Sequence, residues 1–111
     1  TPAELLAAQQ AVANVAVADD VLAYIVALAR ATRSAPSVEL GASPRASAAL
    51  LAAAKAWAWL SGSVAVTPDH VQAMLTPVWR HRISLRPDAQ MEGVSADTVL
   101  AATMRQTVVP I

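Results

Sequence analysis

The stretch Gly41-Ala42-Ser43-Pro44-Arg45 combines a helix start with a charge of the unfavourable sign. Ser43 is a preferred N-cap residue and Pro44 suits the first helical position, so the sequence predicts that a helix begins here. Arg45 then lies in the first turn, where the helix dipole is positive and a cation costs about 0.3–1 kcal/mol. A local rule broken without a local gain indicates a candidate functional residue.

Anion binding is the chemistry that would compensate for this placement of Arg45. A helix N-terminus offers unpaired backbone N–H groups and a partial positive charge. A guanidinium beside them adds a fork of donors that matches the geometry of a phosphate. The residues alone leave two interpretations open: Arg45 binds a phosphate, or it pairs with Glu39 or extends into water.

No other part of the sequence has the pattern of a catalytic or metal site. The chain contains no G-x-x-x-x-G-K-[ST] phosphate loop, and it has only three glycines with which to build a variant of one. It also lacks an H-E-x-x-H motif, a Cys/His cluster and a close set of carboxylates, and neither histidine has an obvious nucleophile partner. We therefore expect no catalytic residue and no metal ligand in this chain.

The composition favours one small helical domain. A chain of 111 residues suits a single modest core, and 27 alanines against three glycines favour closely packed helices over a sheet. Eight basic residues balance eight acidic ones, so no net field attracts nucleic acid or an anionic membrane. The absence of cysteine excludes disulfides and favours a cytoplasmic location. Lys55 interrupts the longest apolar stretch, so no membrane insertion is expected.

Start and stop signals divide the chain into helices joined by short extended segments. We predict a mainly α fold, a compact bundle of four to five helices with two or three very short extended segments. The helices are expected over about residues 1–13, 19–33, 43–60, 67–80 and 95–106, with Pro77 either kinking the fourth or opening a separate turn. The extended segments are expected at 15–17, 64–66 and 82–85, and residues 86–93 are expected to form a loop.

Apolar spacing predicts the buried faces of two helices. The second helix should bury Val21, Tyr24, Ile25 and Leu28. The third is apolar nearly all round, which predicts a central helix covered on most sides, with Trp57 in a core stripe that also contains Leu50, Ala53 and Leu60.

The other two tryptophans differ in the positions that the sequence predicts for them. For Trp59 two places stay open, the core or a surface that touches a neighbouring domain or subunit. Trp79 lies near Arg80 and Arg82, and filling of the core is favoured over a platform on which a nucleic-acid base would stack.

Several charged residues have structural explanations beside functional ones. Arg33 closes the second helix, where capping of carbonyl groups is favoured over a position facing a nucleotide or a neighbouring subunit. The basic cluster Arg80-His81-Arg82 with Arg86 lacks interleaved aromatic residues, so docking of an adjacent module is favoured over nucleic-acid binding. His70 is interpreted as a surface residue.

Four motifs in the same order carry a resemblance to a known family. They are Ala31-Thr32-Arg33, the GASPR helix start at 41–45, the Val-x-Pro-Asp segment at 66–69 and His81-Arg82-Ile83. The opening box Thr1-Pro2-Ala3-Glu4 and Val15-x-Val17 fit as well, so that most of the chain resembles the C-terminal lid domain of MoxR-type AAA+ ATPases. The family commonly has Gly-Arg where this chain has Gly62-Ser63, so a contact made by that arginine is not expected here.

The resemblance implies a role for the GASPR segment. In that family the lid packs beside an ATP-binding α/β core, with the nucleotide between them. Arg45 corresponds to the sensor 2 arginine, which reaches the β- and γ-phosphates, and Ser43 and Pro44 form the helix entrance. Loss of the γ-phosphate weakens this contact, so that hydrolysis changes the angle of the lid.

The resemblance also implies partners and a larger protein. Such ATPases bind ATP with Mg²⁺ and form homo-oligomeric rings, often hexamers. They have chaperone-like or metal-insertion roles beside proteins with von Willebrand factor A domains. Because the sequence starts Thr-Pro-Ala-Glu without methionine, we expect residues 1–111 to be one lid domain cut from its N-terminal AAA+ core, inactive and without bound ATP on its own. The alternative is a free-standing helical module that binds a partner protein and has no nucleotide role.

Overall fold

The computed structural model describes all 111 residues and contains six helices and one two-stranded sheet. In chain order the elements are α1 Pro2–Ala13, α2 Asp19–Ser34, β1 Val38–Leu40, α3 Pro44–Leu60, α4 Pro68–Trp79, β2 Ser84–Leu85, α5 Pro87–Met91 and α6 Ala96–Gln106. The mainly α class is confirmed. No helix is both long enough and apolar enough to cross a lipid bilayer.

The helix starts follow the capping residues in the sequence. Ser43 caps α3, with its Oγ accepting a hydrogen bond from the Ala46 N–H at 3.1 Å. Ser95 caps α6 in the same way through the Thr98 N–H, also at 3.1 Å. These side chains satisfy N–H groups that have no partner within the helix, which explains why both helices begin where the sequence predicts.

The start of α4 uses a histidine in place of the usual acidic capping partner. The N–H of Thr67 donates to Nδ1 of His70 at 2.9 Å. His70, which we interpreted as a surface residue, is half-buried and closes this helix start. Pro77 lies inside α4, which continues only as far as Trp79.

The small sheet contains one strand that the sequence did not predict. It pairs β1 with β2 in antiparallel fashion, with Val38 opposite Leu85. The segment at 82–85 was predicted to be extended, but β1 was not. Three residues are too few for an alternating pattern to be recognised, so this strand depends on its partner.

The other two predicted extended segments stay outside the sheet. The segments at 15–17 and 64–66 meet in a single parallel bridge between Ala16 and Ala65. The predicted loop at 86–93 contains α5, a helix of five residues that begins with Pro87 and was not predicted.

Four helices supply most of the core, and α1 buries no residue. The predicted stripe of α2 is buried, and Trp79 on α4 is fully buried, as expected. The cluster of 20 buried residues also draws on both strands and the loops; its members on α3, α4 and α6 are Ala46, Leu50, Ala54, Ala58, Val71, Leu75, Trp79, Val99 and Leu100.

Helix α3 is central, as predicted, because it packs against α1, α2 and α4, but the expectation that most of its sides are fully covered is wrong. Its buried residues form one row spaced by four, Ala46, Leu50, Ala54 and Ala58. Trp57 lies beside this row and is 42% exposed, so its assignment to the core is also wrong. Alanine side chains let neighbouring helices approach closely, and this selects the alanine row over the stripe that contains Trp57. Trp59 is 40% exposed.

Candidate functional site

The side chain of Arg45 projects from the first turn of α3 without a partner. It is exposed and makes neither a hydrogen bond nor an ion pair within the chain. Pairing with Glu39 is therefore absent, and the guanidinium extends into solvent. The helix start itself is well formed, because Ser43 accepts hydrogen bonds from Ala46 at its Oγ and from Ser47 at its carbonyl.

The backbone at the same position also keeps an open donor. Pro44 has no N–H, and the N–H of Arg45 has no acceptor in the chain. One residue thus presents both an unpaired backbone donor and a guanidinium at the positive end of a helix of 17 residues. This arrangement fits an anion.

The end of α2 holds the loop that precedes Arg45. The Oγ1 of Thr32 accepts a hydrogen bond from the Ala42 N–H at 2.9 Å, and its own hydroxyl donates to the Ala29 carbonyl at 2.7 Å. The Nε of Arg33 donates to the Ala42 carbonyl at 2.9 Å. Both polar backbone groups of Ala42 are therefore bound by neighbouring residues of α2, an arrangement that we call the Ala42 anchor.

Arg33 was expected to cap carbonyl groups at the end of its own helix. It does bind a carbonyl, but that carbonyl belongs to the loop before α3. The distinction matters because the contact joins α2 to the start of α3, whereas a cap would act on α2 alone.

Gly41 explains how the loop comes so close to α2. A Cβ atom placed on Gly41 would lie 2.7 Å from Cα of Arg33, closer than two such atoms approach in proteins. The motif at 31–33 and the GASPR segment are therefore in direct contact through their backbones.

A second hydrogen bond, made by a residue of α4, holds the start of α3. The indole Nε1 of Trp79 donates to the Ala46 carbonyl at 2.8 Å, and both residues are buried. The segment that carries Arg45 is thus attached to α2 through Ala42, which precedes Arg45 in the sequence, and to α4 through Ala46, which follows it.

Two arginines of the predicted basic cluster, Arg80 and Arg86, have partners within the chain. Arg80 forms a bidentate ion pair with Asp97, with Nε–Oδ1 at 2.7 Å and Nη2–Oδ2 at 2.9 Å. The hydrogen bond and the charge of Asp97 raise the pKa of Arg80 above its ordinary value. Arg86 donates through Nε to the Pro36 carbonyl at 3.2 Å.

Ser63 has a local role at the position where the family commonly has arginine. Its hydroxyl donates to the Ala65 carbonyl at 2.7 Å, which orders the turn between α3 and the bridge at Ala65. No group of three or more histidine, aspartate or glutamate side chains is arranged to hold a metal ion.

Sequence reasoning missed Thr32, Trp79 and Asp97 as partners at these sites. Thr32 belongs to the motif at 31–33, but its hydrogen-bond partner Ala42 lies ten residues further along the chain. Trp79 was expected in the core, but its hydrogen bond could not be predicted, because the acceptor of its N–H lies on another helix.

Comparison with known proteins identifies the class of protein that this fold and site define. The family model "AAA lid domain" matches residues 30–103. The chain therefore belongs to the AAA lid domain family, and the resemblance to the lid of MoxR-type AAA+ ATPases is confirmed.

Individual relatives agree with this assignment. The chain is 40% identical over 103 residues to "Uncharacterized protein YeaC" of Bacillus subtilis, covering 93% of this chain and 32% of that protein. It is 32% identical over 116 residues to "Chaperone MoxR1" of Mycobacterium tuberculosis, covering 96% and 31%. The crystal structure of a "putative ATPase" from Cytophaga hutchinsonii superposes with a TM-score of 0.86 at 25% identity, covering 92% of this chain and 34% of that one. The chain thus spans about a third of the length of these relatives.

Proposed function

We propose that this lid closes over ATP bound to an adjoining AAA+ core, and that Arg45 is the sensor 2 arginine that binds the nucleotide phosphates. One observation carries the assignment: the guanidinium and the backbone N–H of Arg45 both lack an acceptor in the chain, at the positive end of a long helix. The relation to "Chaperone MoxR1" and to the ATPase structure supports a nucleotide as the anion.

Each residue of the helix entrance has a distinct task in this proposal. Arg45 binds the β- and γ-phosphates, while Ser43 and Pro44 start the helix so that its first turn faces the cleft. Loss of the γ-phosphate on hydrolysis removes part of the charge that Arg45 binds. The contact between lid and core weakens, and the lid changes its angle.

The remaining parts of the ATPase lie outside these 111 residues. The core supplies the other phosphate contacts and the Mg²⁺ site. We expect the intact protein to assemble into a homo-oligomeric ring, most simply a hexamer, and to act in the cytoplasm. Its role is chaperone-like or metal-inserting, with a partner that carries a von Willebrand factor A domain.

Steady-state ATP hydrolysis by the full-length protein tests the assignment of Arg45. We expect Arg45→Ala to lower turnover by about ten- to a hundredfold, because a donor aimed at developing charge is lost. Arg105→Ala is the matched control, since Arg105 is also exposed and without a side-chain partner, in the last turn of α6. That variant should hydrolyse ATP at the parental rate.

The result that would overturn the proposal is parental turnover in Arg45→Ala with the helical content intact. A full-length sequence without a phosphate loop upstream would likewise favour the free-standing interaction module. Circular dichroism of each variant separates loss of function from loss of fold.

A further inference from the structure

We propose that Thr32 and Arg33 are positioning residues for Arg45, acting through the Ala42 anchor. This inference rests on the proposed function of Arg45, which it extends to two residues that do not touch the nucleotide. The two motifs at 31–33 and 41–45 then form one device, in which the end of α2 sets the place of the sensor arginine.

Both polar backbone groups of Ala42 are hydrogen-bonded to the end of α2. Its N–H binds Thr32 at 2.9 Å and its carbonyl binds Arg33 at 2.9 Å. Ala42 is fully buried and lies three residues before Arg45. The two peptide units that flank the Ala42 Cα are therefore each held by one hydrogen bond, and neither can rotate without losing it.

Close packing and a second support complete the device. The backbone of Gly41 lies against that of Arg33, where even a methyl group would not fit. Trp79 binds the Ala46 carbonyl from α4. The segment from 41 to 46 is therefore attached at both ends, and only Ser43, Pro44 and Arg45 between them are exposed.

The consequence concerns the transmission of movement. A lid that responds to the loss of one phosphate needs a rigid connection between the sensing side chain and its helices. A displacement of about 1 Å at a reacting centre costs up to about a hundredfold in rate. The Ala42 anchor supplies this rigidity, because it joins the segment that carries Arg45 directly to α2.

The test is a double-mutant cycle on ATP hydrolysis by the full-length protein. We expect Arg33→Met, which keeps the aliphatic stem, to lower kcat by about tenfold with a smaller change in KM. The control Arg30→Met removes an exposed arginine with no side-chain partner one turn earlier on α2, and should leave kcat unchanged. In the Arg45→Ala background, Arg33→Met should have little further effect, because there is no sensor left to position.

Thr32 provides an independent pair of variants. Thr32→Val removes the hydroxyl with little change in volume and should behave as Arg33→Met does, whereas Thr32→Ser keeps the hydroxyl and should restore most of kcat. If Thr32→Val fails to fold, the cycle with the exposed Arg33 still decides the question.

The outcomes separate this inference from the proposed function. Multiplicative losses in Arg33→Met and Arg45→Ala would overturn the positioning role, since they indicate independent contributions. An active Arg33→Met beside a slow Arg45→Ala would also overturn it and would leave the sensor assignment standing. An active Arg45→Ala would refute both.

Discussion

Helices α1 and α3 begin with the same local signal, a hydroxyl residue followed by proline, and differ in everything that surrounds it. At α1 the N–H of Glu4 donates to Oγ1 of Thr1 at 3.1 Å, the glutamate lies in the favourable electrostatic position, and no residue of the helix is buried. At α3 the corresponding first turn carries Arg45, and neighbouring helices hold it through Ala42 and Ala46.

This difference separates two tasks that a helix start performs. A cap satisfies N–H groups within one turn, and it is sufficient to begin a helix such as α1. It does not determine where the turn lies relative to the rest of the molecule. At α3, contacts with α2 and α4 determine where the first turn lies. The same turn carries a cation, against the usual preference for an anion, at the place where a ligand is expected.

The largest expected effect comes from removing the contact that Trp79 of α4 makes with the start of α3. Trp79→Ala should lower the free energy of unfolding by about 3–5 kcal/mol, because a fully buried indole and its hydrogen bond to Ala46 are lost. Trp57→Ala is the matched control and should cost about 1 kcal/mol, because Trp57 is 42% exposed. Urea unfolding of the purified chain measures both. Equal losses would show that the exposed tryptophan is as important to the fold as the buried one.

The next effect tests the close approach of the loop to α2. Gly41→Ala should cost about 1–3 kcal/mol, because its methyl group would overlap the backbone of Arg33. Gly62→Ala should cost about 1 kcal/mol from its positive φ of 79° alone, since nothing lies near that Cβ. Amide NMR shifts distinguish the two: Gly41→Ala should move the signals of Ala42 and Ala46, and Gly62→Ala should not. Unmoved signals in Gly41→Ala would contradict the packing of this loop.

Removing the two caps sharpens the comparison directly. Ser43→Ala and Thr1→Ala should each weaken their own helix by about 1 kcal/mol. Only Ser43→Ala should lower the global free energy of unfolding, because α3 contributes to the core and α1 buries no residue. Hydrogen exchange is the measurement: faster exchange confined to α1 is expected for Thr1→Ala. A global loss in that variant would mean that α1 is more firmly attached than its burial indicates.

The smallest effect has the opposite sign. Arg45→Glu should raise the free energy of unfolding by about 0.3–1 kcal/mol, since an anion suits the first turn of a helix. Arg105→Glu in the last turn of α6 should lower it by a similar amount. Both changes should shrink in high salt. If the full-length Arg45→Glu protein were both more stable and fully active, the arginine would have no visible reason to be there.

How far the sequence predicts this molecule depends on the range of each signal. The bounds of α3 were predicted correctly, from Ser43 and Pro44 to the stop at Gly62, because a cap or a left-handed glycine acts within one turn. The buried face of the same helix was predicted wrongly. Two stripes of small and apolar residues lie side by side on α3, and the choice between them depends on the helices that pack against it.

The same difference between local signals and long-range contacts holds for the candidate site. Arg45 was identified from its own position in a helix, and the role of sensor stays a prediction. The Ala42 anchor could not be predicted, because neither the motif at 31–33 nor the GASPR segment contains a local signal for a hydrogen bond between Thr32 and Ala42.

Local signals in the chain are enough to specify the five longer helices, the capping residues Thr1 and Ser43 and the unusual cation at the start of α3, because these depend on backbone groups within a few residues. The long-range contacts add three things: the alanine row of α3 faces inward, β1 finds β2, and the loop before Arg45 is bound to the end of α2. All three have the same physical reason, because each requires close packing or hydrogen bonds between segments that meet only when the chain is folded.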